Sequence, residues 1–270
     1  MRRIAFLTCL SLALWAGDEP PAETFLILKT GEPGAEPEKA GPFLAEWATY
    51  LSPQAGAPQE GLITSDPARA IDLAKEHHPA WGIVTPAFFL EHEKDLALRP
   101  LLETRRGGHA TERYTVVVKK GTTWSGGEVA TQLVAEASYL EQVAFAGKKV
   151  RLRAAKNLAD AVYAMVEGEA TAAAAVLLDR ASRAFFGEDE LTWPKIEVAW
   201  ESEELPPDLV VGFGEALSRE SEASLREALV GMLGDEEGKK ICRNLQTEGF
   251  GAIDVARWER ARAAYAGVPR

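Results

Sequence analysis

The stretch HPAWGIVTPAFFLEH, residues 78–92, decides the fold class. Trp81 to Val84 is an apolar run without alternation, the pattern of a strand buried on both faces. It stops at Thr85-Pro86, and Ala87-Phe88-Phe89-Leu90 follows at once as an apolar helix start. Proline is tolerated at a first helical position because its missing N–H would have had no intrahelical partner. A strand that runs straight into a helix leaves backbone N–H groups pointing outward, where a side chain caps them or an anion meets them. On these residues alone both readings of Thr85 are open.

Working back toward the N-terminus, the same grammar recurs. TFLIL (24–28) is a strand, and the Gly- and Pro-rich KTGEPGAEPEKAGP (29–42) reads as a loop. A helix is expected over 42–51, with Phe43, Leu44, Trp47 and Leu51 on one face. EGLITSD (60–66) is a second strand, and Asp66-Pro67 opens a helix with Asp66 as its cap. The order is β-α-β-α-β, that of an α/β lobe with a mainly parallel sheet.

Toward the C-terminus the pattern restarts. RYTVVVKKG (113–121) is a strand, and EVATQLVAEASYLEQVAF reads as a short strand and a helix. KKVRLR (148–153) is a strand, Asn157 caps a helix, and TAAAAVLLD (171–179) is a buried strand. KIEVAW (195–200) and LVVGF (209–213) are further strands, and helices close the chain near 218–233, 235–246 and 254–265. The segments ARAIDLAKEHHPAWGIVTP and ADAVYAMVEGEATAAAAVLLD share a layout of helix, polar turn and small-residue strand. They predict two similar lobes, each presenting a strand end to a shared cleft.

The totals agree with an ordinary globular protein: 270 residues, 46% hydrophobic and 26% charged. A net charge of −11 argues against nucleic-acid binding, because phosphates would need a basic stripe. Met1-Arg2-Arg3 followed by the apolar run IAFLTCLSLALWA fits a secretory signal peptide and is short for a membrane span. Its removal takes away Arg2, Arg3 and Cys9, brings the charge to −13 and leaves Cys242 without an internal disulfide partner.

Four stretches together carry a resemblance: GPFLAEWATYLSPQAG, AWGIVTPAFFLEH, ERYTVVVKKGTTW, and KIEVAWESEELPPDLVVG with the helices after it. In their order and spacing they resemble the substrate-binding proteins of phosphate, phosphite and phosphonate ABC transporters, which have the type 2 periplasmic binding protein fold. The resemblance covers about 24 to 265. It implies an α/β fold of two lobes with mainly parallel sheets flanked by helices, joined by two crossing hinge strands. Residues 1–22 would be signal peptide and tether, 23–112 plus 206–267 lobe one, and 113–205 lobe two.

Carried over position by position, the resemblance places Thr85, Pro86, Ala87 and Phe88 at an oxyanion and Thr30-Gly31 at a second ligand-facing turn. Tyr114 either closes over a ligand or packs in the hinge. Lobe two departs from the family's Ser/Thr-rich turn: only Thr131, Gln132 and Ser138 are spread among alanines and glutamates. Glu136 beside a bound phosphate would be repulsive. Asp179 either holds an amine or caps the next helix.

His77-His78 are adjacent on a helix end and do not face each other, so they form no metal pair. The chain shows no zinc spacing, no nucleotide phosphate loop and no nucleophile elbow. The expectation is therefore a non-enzymatic, exported, monomeric binding protein with no cofactor and no metal. It would capture a small ligand, a phosphorus oxyanion or phosphonate, for an inner-membrane ABC permease. The alternative is a sensor or interaction protein that kept the fold and changed or lost its ligand.

Overall fold

The computed structural model describes residues 22–30, 37–106 and 109–267. The expected signal peptide and Gly31 lie outside the described residues. These residues form two sheets flanked by helices, of six and five strands.

The first sheet is built around β1 (Glu23–Leu28), which pairs in parallel with β2 (Gln59–Thr64) and β3 (Trp81–Val84). Being central, β1 buries Phe25, Leu26, Ile27 and Leu28 completely, which explains its unbroken apolar run. Gly82 of β3 lies so close to β1 that an added Cβ would sit 2.3 Å from the Leu26 carbonyl oxygen. On one face, α1 (Pro37–Ala55) packs Trp47 against Phe25 and Trp81, with ring centroids 4.9 and 5.6 Å away. On the other lie α2 (Pro67–His77) and α3 (Pro86–His92). Asp66 caps α2 by accepting from Ala68 N at 2.9 Å, as its sequence predicts.

Two expectations need correction. The helix predicted over 42–51 begins at Pro37, inside the segment read as loop, and Pro42 lies within it. Burial of Ala40, Leu44, Trp47 and Leu51 outweighs the hydrogen bond that Pro42 removes. The strand β4 (Leu98–Thr104) is not evident from the sequence, because Pro100 interrupts its pattern. Pro100 pairs with Val211 at a register shift, where a missing N–H is tolerated.

The second sheet has β6 (Gly127–Thr131) parallel to β7 (Val150–Ala154) and β8 (Ala175–Leu178). β5 (Thr115–Lys119) runs antiparallel between β8 and β9 (Ile196–Glu201). Thus each sheet keeps a parallel trio, while the strands next to the crossings run antiparallel. The chain returns to the first sheet as β10 (Leu209–Phe213), inserted between β3 and β4, and ends there with β11 (Phe250–Gly251).

The two crossing segments are bonded to each other. Glu112 and Leu205 exchange both backbone hydrogen bonds at 2.8 Å. In the second lobe α4 (Leu158–Glu167) carries the expected Asn157 cap, and α5 (Arg180–Gly187) follows β8. After β10 come α6 (Arg219–Gly231), α7 (Glu236–Asn244) and α8 (Val255–Ala266). The last of these touches both sheets' cores: Trp258 packs on Phe89 at 5.3 Å, whereas Ala261 and Tyr265 join the cluster around Tyr114 and Tyr139. Glu103 of β4 fixes that helix by accepting from Arg257 Nη2 at 2.8 Å, Trp258 Nε1 at 2.7 Å and Asp254 N at 3.1 Å.

Candidate functional site

Parallel strands in an α/β sheet aim their C-terminal ends at the place where ligands bind. Here those ends come from both sheets and enclose a cavity of about 180 Å3. Lys29 and Thr30 follow β1, Thr85 and Pro86 follow β3, Thr131 and Gln132 close β6, and Asp179 follows β8. The crossing segments add Arg106, Glu112, Tyr114 and Asp208. The volume suits a small solute and falls below the roughly 300–1,000 Å3 of drug-sized sites.

Of the residues named from sequence, Thr30, Thr85, Pro86, Tyr114, Thr131, Gln132 and Asp179 line this cavity. Ala87 and Phe88 do not. Ala87 packs in the cluster of Tyr114, Tyr139 and Leu140, and Phe88 packs beneath β1 with Leu26 and Leu28. The Phe88 N–H donates to Thr85 Oγ1 at 3.4 Å, so Thr85 caps α3 and still faces the cavity. Asp179 likewise has both positions: its Oδ1 accepts from Ser182 N at 2.8 Å as the cap of α5, and it lines the cavity.

Four carboxylates meet two cations in this space. Asp208 takes Arg106 at 2.9 Å and Lys29 at 3.6 Å through the same oxygen. Lys29 Nζ also donates to the Leu245 carbonyl at 3.1 Å. Glu112 Oε1 accepts from the backbone N–H of Arg113 and of Arg180, each at 2.8 Å. Burial, reinforced by the Asp179 charge, nevertheless pushes its carboxyl up to about 7.

Glu136, which the sequence flags as repulsive toward a phosphate, also lines the cavity. After β6, Thr131 Oγ1 accepts from Leu133 N at 3.1 Å, and a single 3₁₀ turn (Val134–Glu136) brings the Glu136 side chain into the cavity. The helix expected beyond it is broken into Ala137–Tyr139 and a π-helical turn, Leu140–Ala144. Glu136 is 4% exposed and meets the Thr30 and Thr85 hydroxyls of the other lobe. Burial drives its carboxyl up to about 7, Asp208 adds to this, and the Thr85 and Thr30 hydroxyls with Arg106 oppose it. Neither Glu136 Oε1 nor Thr30 Oγ1 reaches a hydrogen-bond partner among the described residues. Tyr114 and Tyr139 are held well above the ordinary phenol range by burial first and by Glu136 next, so both keep their protons.

Sequence reasoning missed Lys29, Arg106, Glu112 and Asp208 as cavity residues. Lys29 was legible in principle, since it stands between β1 and Thr30. Arg106 follows the strand hidden by Pro100, and Asp208 ends the proline-rich return crossing, so their meeting depends on long-range pairing. Among the described residues no three of His, Cys, Asp or Glu are grouped to hold a metal ion. No helix among them is long and apolar enough to cross a membrane.

The family model for "ABC transporter, phosphonate, periplasmic substrate-binding protein" matches residues 32–258. None of the curated proteins compared matches the chain. Among solved structures, XAC2383 from Xanthomonas citri bound to chloride ion aligns with a TM-score of 0.73 at 14% identity, over 91% of this chain and 98% of that one. A binding protein component of an ABC phosphonate transporter from Pseudomonas aeruginosa gives 0.64 at 16% identity, over 90% and 85%. PhnD1 from Prochlorococcus marinus in complex with methylphosphonate gives 0.64 at 9% identity, over 91% and 97%. At these identities the structures speak to the two-lobed fold, and the family model speaks to the role, that of a solute-binding protein serving an ABC transporter. With two sheets, paired crossings and a polar cavity between them, the chain belongs to the periplasmic substrate-binding proteins of ABC phosphonate transporters.

Proposed function

We propose that this chain captures a small ammonium-bearing solute, with an aminoalkylphosphonate as the first candidate, and presents it to an ABC permease. The observation that carries this reading is the charge of the cavity: among the described residues Glu112, Glu136, Asp179 and Asp208 face it, against Lys29 and Arg106. Both cations already pair with Asp208, so above about pH 7, where Glu112 and Glu136 are ionised, a bare phosphorus oxyanion would enter a surplus of negative charge. An ammonium would instead find carboxylate oxygens, with Asp179 of lobe two and Glu112 of the crossing close together. Thr30, Thr85, Pro86, Tyr114, Thr131 and Gln132 complete the wall that surrounds the solute in this reading. The protein works as a monomer without cofactor or chemistry, residues 1–22 direct its export, and lobes 23–112 plus 206–267 and 113–205 close on the paired crossings.

Thermal melting of the exported protein against aminoethylphosphonate, methylphosphonate, phosphate, sulfate and ethylamine tests it. A ligand at a hundred times its Kd stabilises the native state by about 2.7 kcal/mol. For a chain of this size that is a rise of roughly 5–11 °C. Aminoethylphosphonate is expected to give the largest rise. A rise with methylphosphonate or phosphate as large as with aminoethylphosphonate, or none with any solute, overturns the proposal.

A further inference from the structure

The Thr30 and Thr85 hydroxyls stand at the ends of two neighbouring parallel strands, where a hydroxyl pair would serve an oxyanion. In this chain the corner is already filled from within. Glu136, delivered across the cleft by the turn after β6, faces both hydroxyls and is buried with them. Its Oε1 and the Thr30 Oγ1 lack hydrogen-bond partners among the described residues, an arrangement that costs stability and so calls for another role. We propose that Glu136 is the specificity-determining residue of this cleft: it holds the corner formed by Thr30 and Thr85 and turns away solutes that bring a full negative charge there. The inference deepens the reading of the cleft as the ligand site and rests on it.

The groups that face Glu136 fix how this discrimination responds to pH. Thr30 and Thr85 face it from lobe one, Asp208 and Arg106 come from the crossings, and Tyr114 and Tyr139 lie on the lobe-two side, with Glu112 of the crossing beyond them. Asp208 repels the carboxylate and Arg106 attracts it, while Lys29 is engaged with Asp208. Among the described residues no histidine lines the cavity. With its carboxyl near 7, Glu136 is neutral in mild acid and then offers an O–H to an anion. In mild base it is a carboxylate and repels the same anion.

Methanesulfonate is the probe, because its single negative charge is constant between about pH 5.5 and about pH 8.5. Calorimetric titration into the wild-type protein is expected to show binding that weakens about ten-fold or more across that range. Glu136→Gln is expected to bind methanesulfonate about ten-fold more tightly than wild type at the upper pH and to lose most of the pH dependence, the remainder belonging to Glu112. Glu136→Ala serves as a second variant, and circular dichroism with melting establishes that each is folded. If neither folds, the wild-type pH profile decides. Wild-type binding that is equal at both pH values overturns the proposal, as does a folded variant no tighter than wild type at the upper pH, including no binding by either. Aminoethylphosphonate titrated into wild type in parallel separates the two claims. If it binds while the Glu136 test fails, the cleft reading stands and only the discrimination falls; if it does not bind, the cleft reading itself falls.

Discussion

Two buried glutamates of this chain make opposite use of the same side chain. Glu103, 1% exposed, is surrounded by donors: a guanidinium, an indole N–H and a backbone N–H tie it to α8. Glu136, 4% exposed, leaves one oxygen without a partner and keeps its carboxyl near 7. A buried charge with complete partners holds structure together, and removing it strands the partners. A buried carboxyl without them stays poised between two protonation states, which suits a site that meets a ligand.

The largest effect expected from this contrast is on stability. Glu103→Ala leaves buried Arg257 with only the more exposed Asp254 carboxylate and strands the Trp258 indole N–H, and should cost about 3–5 kcal/mol in urea unfolding. Glu136→Gln, by relieving an unpaired acceptor, should cost less than about 1 kcal/mol or stabilise. Equal costs would break the comparison.

The next effect is on the pH dependence of stability. A carboxyl whose folded pKa is raised binds its proton more tightly folded than unfolded, so its contribution is full below the unfolded value of 4.5 and is lost as pH rises to about 7. Glu136 and Glu112 both act in this direction, and stability should therefore fall between about pH 5 and about pH 8. Glu136→Gln should remove on the order of 3 kcal/mol of that fall, and wild-type melting that rises over this window would contradict the assignment.

A smaller effect is expected at the other wall of the cleft. Asp179→Asn retains a residue able to cap α5 and removes only the charge. Affinity for aminoethylphosphonate should fall about ten-fold with the melting temperature nearly unchanged. An equal loss of both would assign Asp179 to the cap alone. The smallest effect is at Cys242, whose thiol is buried and pushed up to about 11. It should resist iodoacetamide in the native protein and react only on unfolding.

Most of the architecture could be read along the chain. Unbroken apolar runs such as Phe25–Leu28 mark strands buried on both faces, and Asp66, Asn157 and Asp179 mark helix starts because their side chains bond the next free N–H groups. Local signals failed where packing overruled them. Pro42 lies inside α1 because the apolar face beside it is held by the sheet, and Pro100 hides β4 until β10 arrives to pair with it. Half of the cleft was legible too, at the strand ends Thr30, Thr85, Thr131 and Asp179, since parallel strands deliver their C-termini to one edge.

What the sequence determined by itself was therefore the set of strands, caps and strand ends, because each depends on residues within a turn or two of one another. The charge of the cleft was decided by tertiary structure. Lys29 and Asp208 are brought together by a strand inserted between β3 and β4, and Glu136 meets Thr30 and Thr85 only because the ends of the two sheets face each other across the cavity. A glutamate in an alanine-rich turn carries no local sign of this. Its role follows from burial and from which donors face it, and both are properties of the assembled fold.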